Sequence, residues 1–193
     1  MANFISDYTG DEIEGRLDYL NLDSNYKVYK SLIFANGDLA TGNTAPASLK
    51  VGTCSCWSYD INDDSKITLK TPLDMDVTED ITVKIRWGIN EAYATGSGEV
   101  QWNVLTYYEA VGQVLDAGDD QESDDTGDIN IPATANTIVE TDITLSASNI
   151  TAGDTIGMKV SRIAIDGGSD PTADPYIISL ELVYQSNYVG ESI

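Results

Sequence analysis

From Tyr26 onward, apolar and polar residues alternate with a period of two. In DITVKIRWGI, residues 80–89, Ile81, Val83, Ile85 and Trp87 alternate with Thr82, Lys84 and Arg86. Successive side chains of a strand point to opposite faces, so this pattern marks a half-buried antiparallel strand. The same reading predicts a strand at 26–35, apolar on both faces, and another at 48–61, where Leu49, Val51, Trp57, Tyr59 and Ile61 share a side. Further strands are predicted at 99–111, with Val100, Trp102, Val104 and Tyr108 together, and at 139–145, with Val139, Ile143 and Leu145. The segment 176–188 lines up Ile178, Leu180, Leu182 and Tyr184. In 154–166, Ile156, Met158 and Val160 are in phase and Arg162 falls on their side, while Ile163 and Ile165 change phase, which predicts a β-bulge near Ser161–Arg162. The stretch YATGSGE, 93–99, reads as a hairpin connection. About eight strands joined by turn-rich loops, with no crossover helices and no internal repeat, imply an all-β, antiparallel two-sheet sandwich. All three tryptophans, Trp57, Trp87 and Trp102, fall in apolar phases and are expected inside it.

The first 25 residues follow a different rule, which sets a segment 1–25 apart from a sandwich domain 26–193. Residues 8–20, YTGDEIEGRLDYL, read as a short helix with Thr9 as N-cap and Glu12 completing a capping box. Tyr8 and Ile13 can form a hydrophobic staple, and Ile13, Leu17 and Leu20 share one face. A helix of two to three turns does not persist alone in water. Its stripe must therefore pack on the domain, on a sister chain or on another protein, so Tyr8, Ile13, Leu17 and Leu20 are the candidate attachment and oligomer-interface residues.

Charge narrows the choice of partners. The chain has 193 residues, with 10 basic against 32 acidic side chains and a formal charge of −22. Such a surface repels phosphate, so neither nucleic acid nor an anionic membrane is an expected partner. No run approaches the ~20 apolar residues that span a bilayer, and no N-terminal stretch has the makeup of an export signal. Histidine is absent, which removes the commonest general base and every Ser-His or Cys-His nucleophile. The only cysteines, Cys54 and Cys56, stand two apart on a predicted strand, a poor geometry for a disulfide and too few ligands for a metal site. They read as ordinary strand residues and fit a reducing site of synthesis. No phosphate-binding glycine loop occurs, and no cofactor is implied.

Two acidic stretches invite a metal reading. DAGDDQESDDTGD, residues 116–128, lacks the glycine and glutamate spacing of an EF-hand loop and reads as a solvated loop, with an irregular cation site as the alternative. IDGGSDPTADP, 165–175, offers Asp166, Asp170 and Asp174 on the same terms. Asp154 is expected to cap the turn before Ile156, and Arg162 to pair with a carboxylate at the sheet rim or, alternatively, to contact a ligand.

The N-terminal ANFISDYTGDEIEGRLDYL resembles the short leading segments of phage structural proteins. TPLDMDVTEDITVKIRWGI, GEVQWNVLTYY, ITAGDTIGMKVSRIAID and LELVYQSNY, in that order, resemble the strands of jelly-roll modules in virion proteins of tailed phages. The resemblance covers roughly residues 3–20 and 57–185 and leaves 35–50 and 115–137 unmatched. It implies a jelly-roll sandwich that is made in the host cytoplasm and resides in the virion. It also implies a non-enzymatic head-decoration or head-fibre role, often as a homotrimer, with attachment to capsid protein through the N-terminal segment; tail proteins are the alternative partner.

Two other functions remain open. A carbohydrate-binding host-adhesion module would use exposed aromatic rings, for which Tyr93, Tyr107 and Tyr188 are available. A glycosidase would need a carboxylate pair in a cleft, and the sequence singles out none, so no enzyme is expected.

Overall fold

A computed structural model of the protein describes residues 28–93, 98–113 and 121–187. The expected N-terminal helix, and with it Tyr8, Ile13, Leu17 and Leu20, lies outside the described residues. Those residues form twelve strands, more than the eight expected: β1 (Val28–Ala35), β2 (Ala40–Thr41), β3 (Ala47–Val51), β4 (Cys54–Ser58), β5 (Asp64–Lys70), β6 (Ile81–Ile89), β7 (Glu99–Glu109), β8 (Gln121–Asp125), β9 (Ile129–Asn130), β10 (Val139–Leu145), β11 (Thr155–Ile163) and β12 (Pro175–Ser186).

They build two antiparallel sheets. The first runs β10-β6-β12-β4-β3, with β1 also on β12; the second runs β2-β5-β11-β7-β8, with β9 also on β7. Taking β4, β5, β6, β7, β8, β10, β11 and β12 as the principal strands, the first sheet holds the first, third, sixth and eighth of them. This alternation between sheets is the double Greek key of a jelly roll.

The dry layer between the sheets explains the alternation. Ile81, Val83, Ile85 and Trp87 of β6 face Val100, Trp102 and Val104 of β7, all fully buried. Trp102 meets Trp87 edge-on at 6.2 Å and Tyr59 at 5.4 Å. The Trp87 indole N–H donates to Thr141 Oγ1 at 2.9 Å. Burial pushes the Tyr59 and Tyr108 phenols up to about 12. Trp57 departs from expectation: it is half-buried at the edge of the core, where its N–H donates to the Asn36 carbonyl at 3.1 Å.

Four other expectations are corrected. The segment 48–61 is a hairpin of β3 and β4, turned at Gly52 with φ +59°, a conformation glycine adopts without strain. Residues 93–99 join β6 of one sheet to β7 of the other, so they are a crossover rather than a hairpin. β11 has no bulge: its register with β7 runs unbroken from Thr155↔Glu109 to Ile163↔Gln101. The irregularity lies in β12, between Ile177 and Ser179 opposite β6, so Ile177 enters the core in place of Ile178. Leu180, Leu182 and Tyr184 follow in the expected phase.

β1 is tied to β12 along its whole length, from Val28↔Ser186 to Ala35↔Ser179. Asp74 locks that end of the sandwich by accepting from Lys30 Nζ and from Ser186 Oγ. These donors, Lys30 foremost, hold the Asp74 carboxyl below its ordinary value of 3.8. Its stabilisation is therefore present above that value and is lost as pH falls through the lowered one.

Gly88 tests the packing on the outer side of the first sheet. It stands opposite Tyr176, whose ring covers it, and a Cβ there would come within 2.8 Å of the phenol oxygen. Gly88→Ala is expected to destabilise the fold by about 1–3 kcal/mol in chemical denaturation; an unchanged midpoint would contradict this packing.

Candidate functional site

The outer face of the second sheet is set by the same period of two. Because Trp102, Val104, Thr106 and Tyr108 point inward, β7 must present Asn103, Leu105 and Tyr107 outward, and all three are half-buried. β11 presents Gly157 and Lys159, and β5 presents Lys66 and Thr68. The registers place these groups in rows across three strands. Tyr107, Gly157 and Thr68 form one row; Leu105, Lys159 and Lys66 the next; Asn103, Ser161 and Asp64 the third. Rows lie about 6.6–6.8 Å apart, two residues along a strand.

A groove of about 420 Å³ runs over the first two rows. Its floor opens at Gly157, where an added Cβ would meet nothing within 4 Å. A second hollow of about 340 Å³ covers the third row and shares Asn43 and Lys159 with the first, so the two form one trough. Its wall is the loop after β2. The Asp64 carboxylate accepts the Thr44 N–H at 2.8 Å and fills the space where any side chain at Gly42 would stand. Lys66 Nζ donates to Asn43 Oδ1 at 3.0 Å. At the opposite rim Asn103 Nδ2 donates to Ser123 Oγ at 3.1 Å and to the Asp124 carbonyl at 3.0 Å. The trough thus combines one aromatic ring, an apolar Leu105, amides, hydroxyls and two ammonium groups, with the Asp64 carboxylate and the Arg162 guanidinium at the third row's end.

The acidic segment 116–128 is not simply a solvated loop. Residues 121–125 are β8, paired with β7 from Tyr107↔Gln121 to Asn103↔Asp125. Asp128 accepts the N–H groups of Asp166 and Gly167, each at 3.1 Å. Among the described residues, no three acidic or thiol side chains converge into a metal-binding group. In the loop 165–175, Asp170 and Asp174 instead hold Arg162, at 3.4 and 3.1 Å. Arg162 is 1 % exposed, and its guanidinium also donates to the Tyr59 carbonyl at 3.0 Å. Its expected carboxylate partners are therefore present, but the arginine itself is inside the sandwich end. Partial burial, joined by the neighbouring Asp60, pushes Asp174 above the usual carboxylate value against the pull of Arg162.

The remaining sequence candidates separate. Tyr107 lines the groove. Tyr93 packs against the core, donates to Glu91 Oε2 at 2.7 Å and accepts the Thr172 N–H at 2.8 Å, so it is not a free surface ring. Tyr188 lies outside the described residues. Asp154 caps its turn as expected, accepting the Thr151 N–H at 3.0 Å. Cys54 is exposed and Cys56 buried, both as free thiols, and burial raises the Cys56 value. The groove was not foreseen, because the lysines and amides that make it lie in separate segments, and β5, which carries Lys66, was not recognised as a strand.

No protein-family model and no curated protein sequence matches the chain. Some solved structures are similar over most of the chain. The CBM36-1 domain of a multidomain xylanase from the hindgut metagenome of Trinervitermes trinervoides is similar over 85% of this chain and 100% of its own, at 10% identity and a TM-score of 0.46. A family 35 carbohydrate binding module from Clostridium thermocellum covers 79% and 97%, at 12% identity and a TM-score of 0.44. A chain from the structure of infectious bursal disease virus, Gt strain, covers 81% of this chain and 32% of its own, at 10% identity and a TM-score of 0.36.

The Arg162 cluster yields a stability test. Arg162→Ala is expected to cost about 3–5 kcal/mol, since it empties a buried site and strips the Tyr59 carbonyl of its donor. Asp170→Asn, at a partly exposed position, is expected to cost under about 1 kcal/mol. Equal melting-curve shifts for the two variants would contradict this account.

Proposed function

We propose that this protein is a non-catalytic binding module that lays an oligosaccharide along the outer face of its second sheet. The trough over Gly157 supports this reading. It joins an aromatic face and an apolar wall to several amide and hydroxyl groups, the mixture a sugar's apolar ring faces and hydroxyl edges require. The buried tryptophans do not contribute, so recognition falls to Tyr107. Gly157→Leu places a side chain on the floor from a position where its Cβ meets nothing within 4 Å, and Tyr107→Ala removes the ring. Both are expected to keep the wild-type fold and to lower affinity for a glycan identified on an array by at least about tenfold, close to 1.4 kcal/mol, in calorimetry. Binding unchanged in both variants would overturn the reading.

A second reading, a virion component that self-associates and docks on capsid protein, is favoured by β1. Leu32 and Phe34 pack on the core, while Tyr29 and Ile33, on the opposite face, are 63% and 67% exposed. Among the described residues β1 pairs only with β12; it contains no proline, acid or bulge, and its one charged side chain, Lys30, is engaged by Asp74. Natural sheets protect long edges with such devices, and an unguarded one is suited to a neighbouring chain. The two readings are compatible, since β1 and the trough belong to different sheets. Ile33→Glu is expected to convert an oligomer to monomers in sedimentation at moderate salt, where the repulsion from −22 per chain is screened. A wild type that stays monomeric at high protein concentration would contradict this second reading.

A further inference from the structure

We infer that the glycan taken by this trough is acidic, with a sugar carboxylate seated between Lys66 and Lys159; the inference rests on the trough being a glycan site. The reason lies in how the few cations of this chain are placed. Where β6 meets β10 on the outer face of the first sheet, the charged cross-strand pairs are complementary. Arg86 lies opposite Glu140 and Lys84 opposite Asp142, and salt bridges join them at 2.7 and 3.3 Å. Lys30 and Arg162 are likewise paired.

The second sheet breaks that rule. Lys66 stands directly opposite Lys159, like charge against like, an arrangement that destabilises a sheet. Neither forms a salt bridge with a described residue; Lys70, farther along β5, and Lys50, on β3 of the first sheet opposite Ser55, form none either, but neither of these stands opposite another cation. In a chain with 32 acidic residues, a lysine pair left without a carboxylate is not explained by scarcity of partners. The two rows of the groove contain no acid at all. Outward carboxylates stand in the flanking rows: Asp64 and Glu109, both 5% exposed, and the exposed Asp125, which accepts the Gln101 side-chain amide at 3.0 Å. Physiological salt screens charge farther away than about 8 Å, so the field over the groove is set by the two lysines, which alone are charged within its rows, and by the carboxylates of the flanking rows. A sugar ring over Tyr107 and Gly157 would place its substituents one row away, at the two ammonium groups.

Titration calorimetry of the full chain, with chelator present to exclude cation bridging, tests this. The probes are tetragalacturonate and its fully methyl-esterified form, which keeps the sugar skeleton and removes the charge. The acid is expected to bind at least about tenfold more tightly than the ester. A Lys66→Gln/Lys159→Gln double variant, with wild-type melting behaviour, is expected to erase that difference. Equal affinity for acid and ester would overturn the acidic-ligand inference and leave the glycan reading standing. Preference for the acid that survives in the double variant would also overturn it, by placing the anion elsewhere. Binding of neither form, with capture of a neutral oligosaccharide that Gly157→Leu abolishes, would do the same. If no oligosaccharide, charged or neutral, binds at all, the glycan reading falls and this inference with it.

Discussion

The edge-to-face contact of Trp87 with Trp102 joins the two sheets at 6.2 Å, in the middle of β6 and β7. Such a contact contributes about 0.5–1.5 kcal/mol beyond the area it buries, and its larger effect is on register. A shift of one residue in either strand would carry an indole from the dry layer into water and reverse every side chain on that strand. With Trp102 fixed inward, Asn103, Leu105 and Tyr107 can only point outward. The pairing of β7 with β11, and of β11 with β5, then sets which lysines and amides stand beside them. The surface chemistry of the second sheet is in this sense a consequence of the core.

The two sheets manage their exposed edges differently. β8 carries Glu122, Asp124 and Asp125, and it is held to β7 by its main chain. Charges on an edge strand discourage pairing with other chains, so the acidic run that attracts a metal reading in the sequence has a structural use as a guard. Among the described residues, β1 has a single charge, Lys30, and that is already paired with Asp74. Among the described residues, the β8 edge is thus densely charged while the β1 edge, on the other sheet, carries only Lys30, and the trough lies on the charged side.

The strands that bury a full apolar face were legible in the sequence. β6, β7 and β10 end within two residues of the predicted bounds because their inward residues are nearly all apolar. β5, by contrast, was invisible: its inward positions are Ser65, Ile67 and Leu69, too short and too mixed to stand out, and Ser65 is buried through the hydroxyl bond it accepts from Tyr59 at 2.6 Å. β8 has no apolar residue, so no periodicity can reveal it. The bulge was placed in the wrong strand for a related reason. Arg162 looked like a break in an apolar phase, yet a buried guanidinium with carbonyl and carboxylate partners keeps the phase intact. The trough could not be read at all, since its rows join residues up to 97 positions apart through register alone.

The claim on which the functional account stands is that the outer face of β5, β11 and β7 is where the ligand lies. Mapping amide shifts in the intact protein as an oligosaccharide is added measures this directly. The account predicts changes concentrated at 66–68, 105–107 and 157–161, with β1 and the loop 165–175 still. Changes centred on β1 or on that loop, with the three strands unmoved, would contradict it.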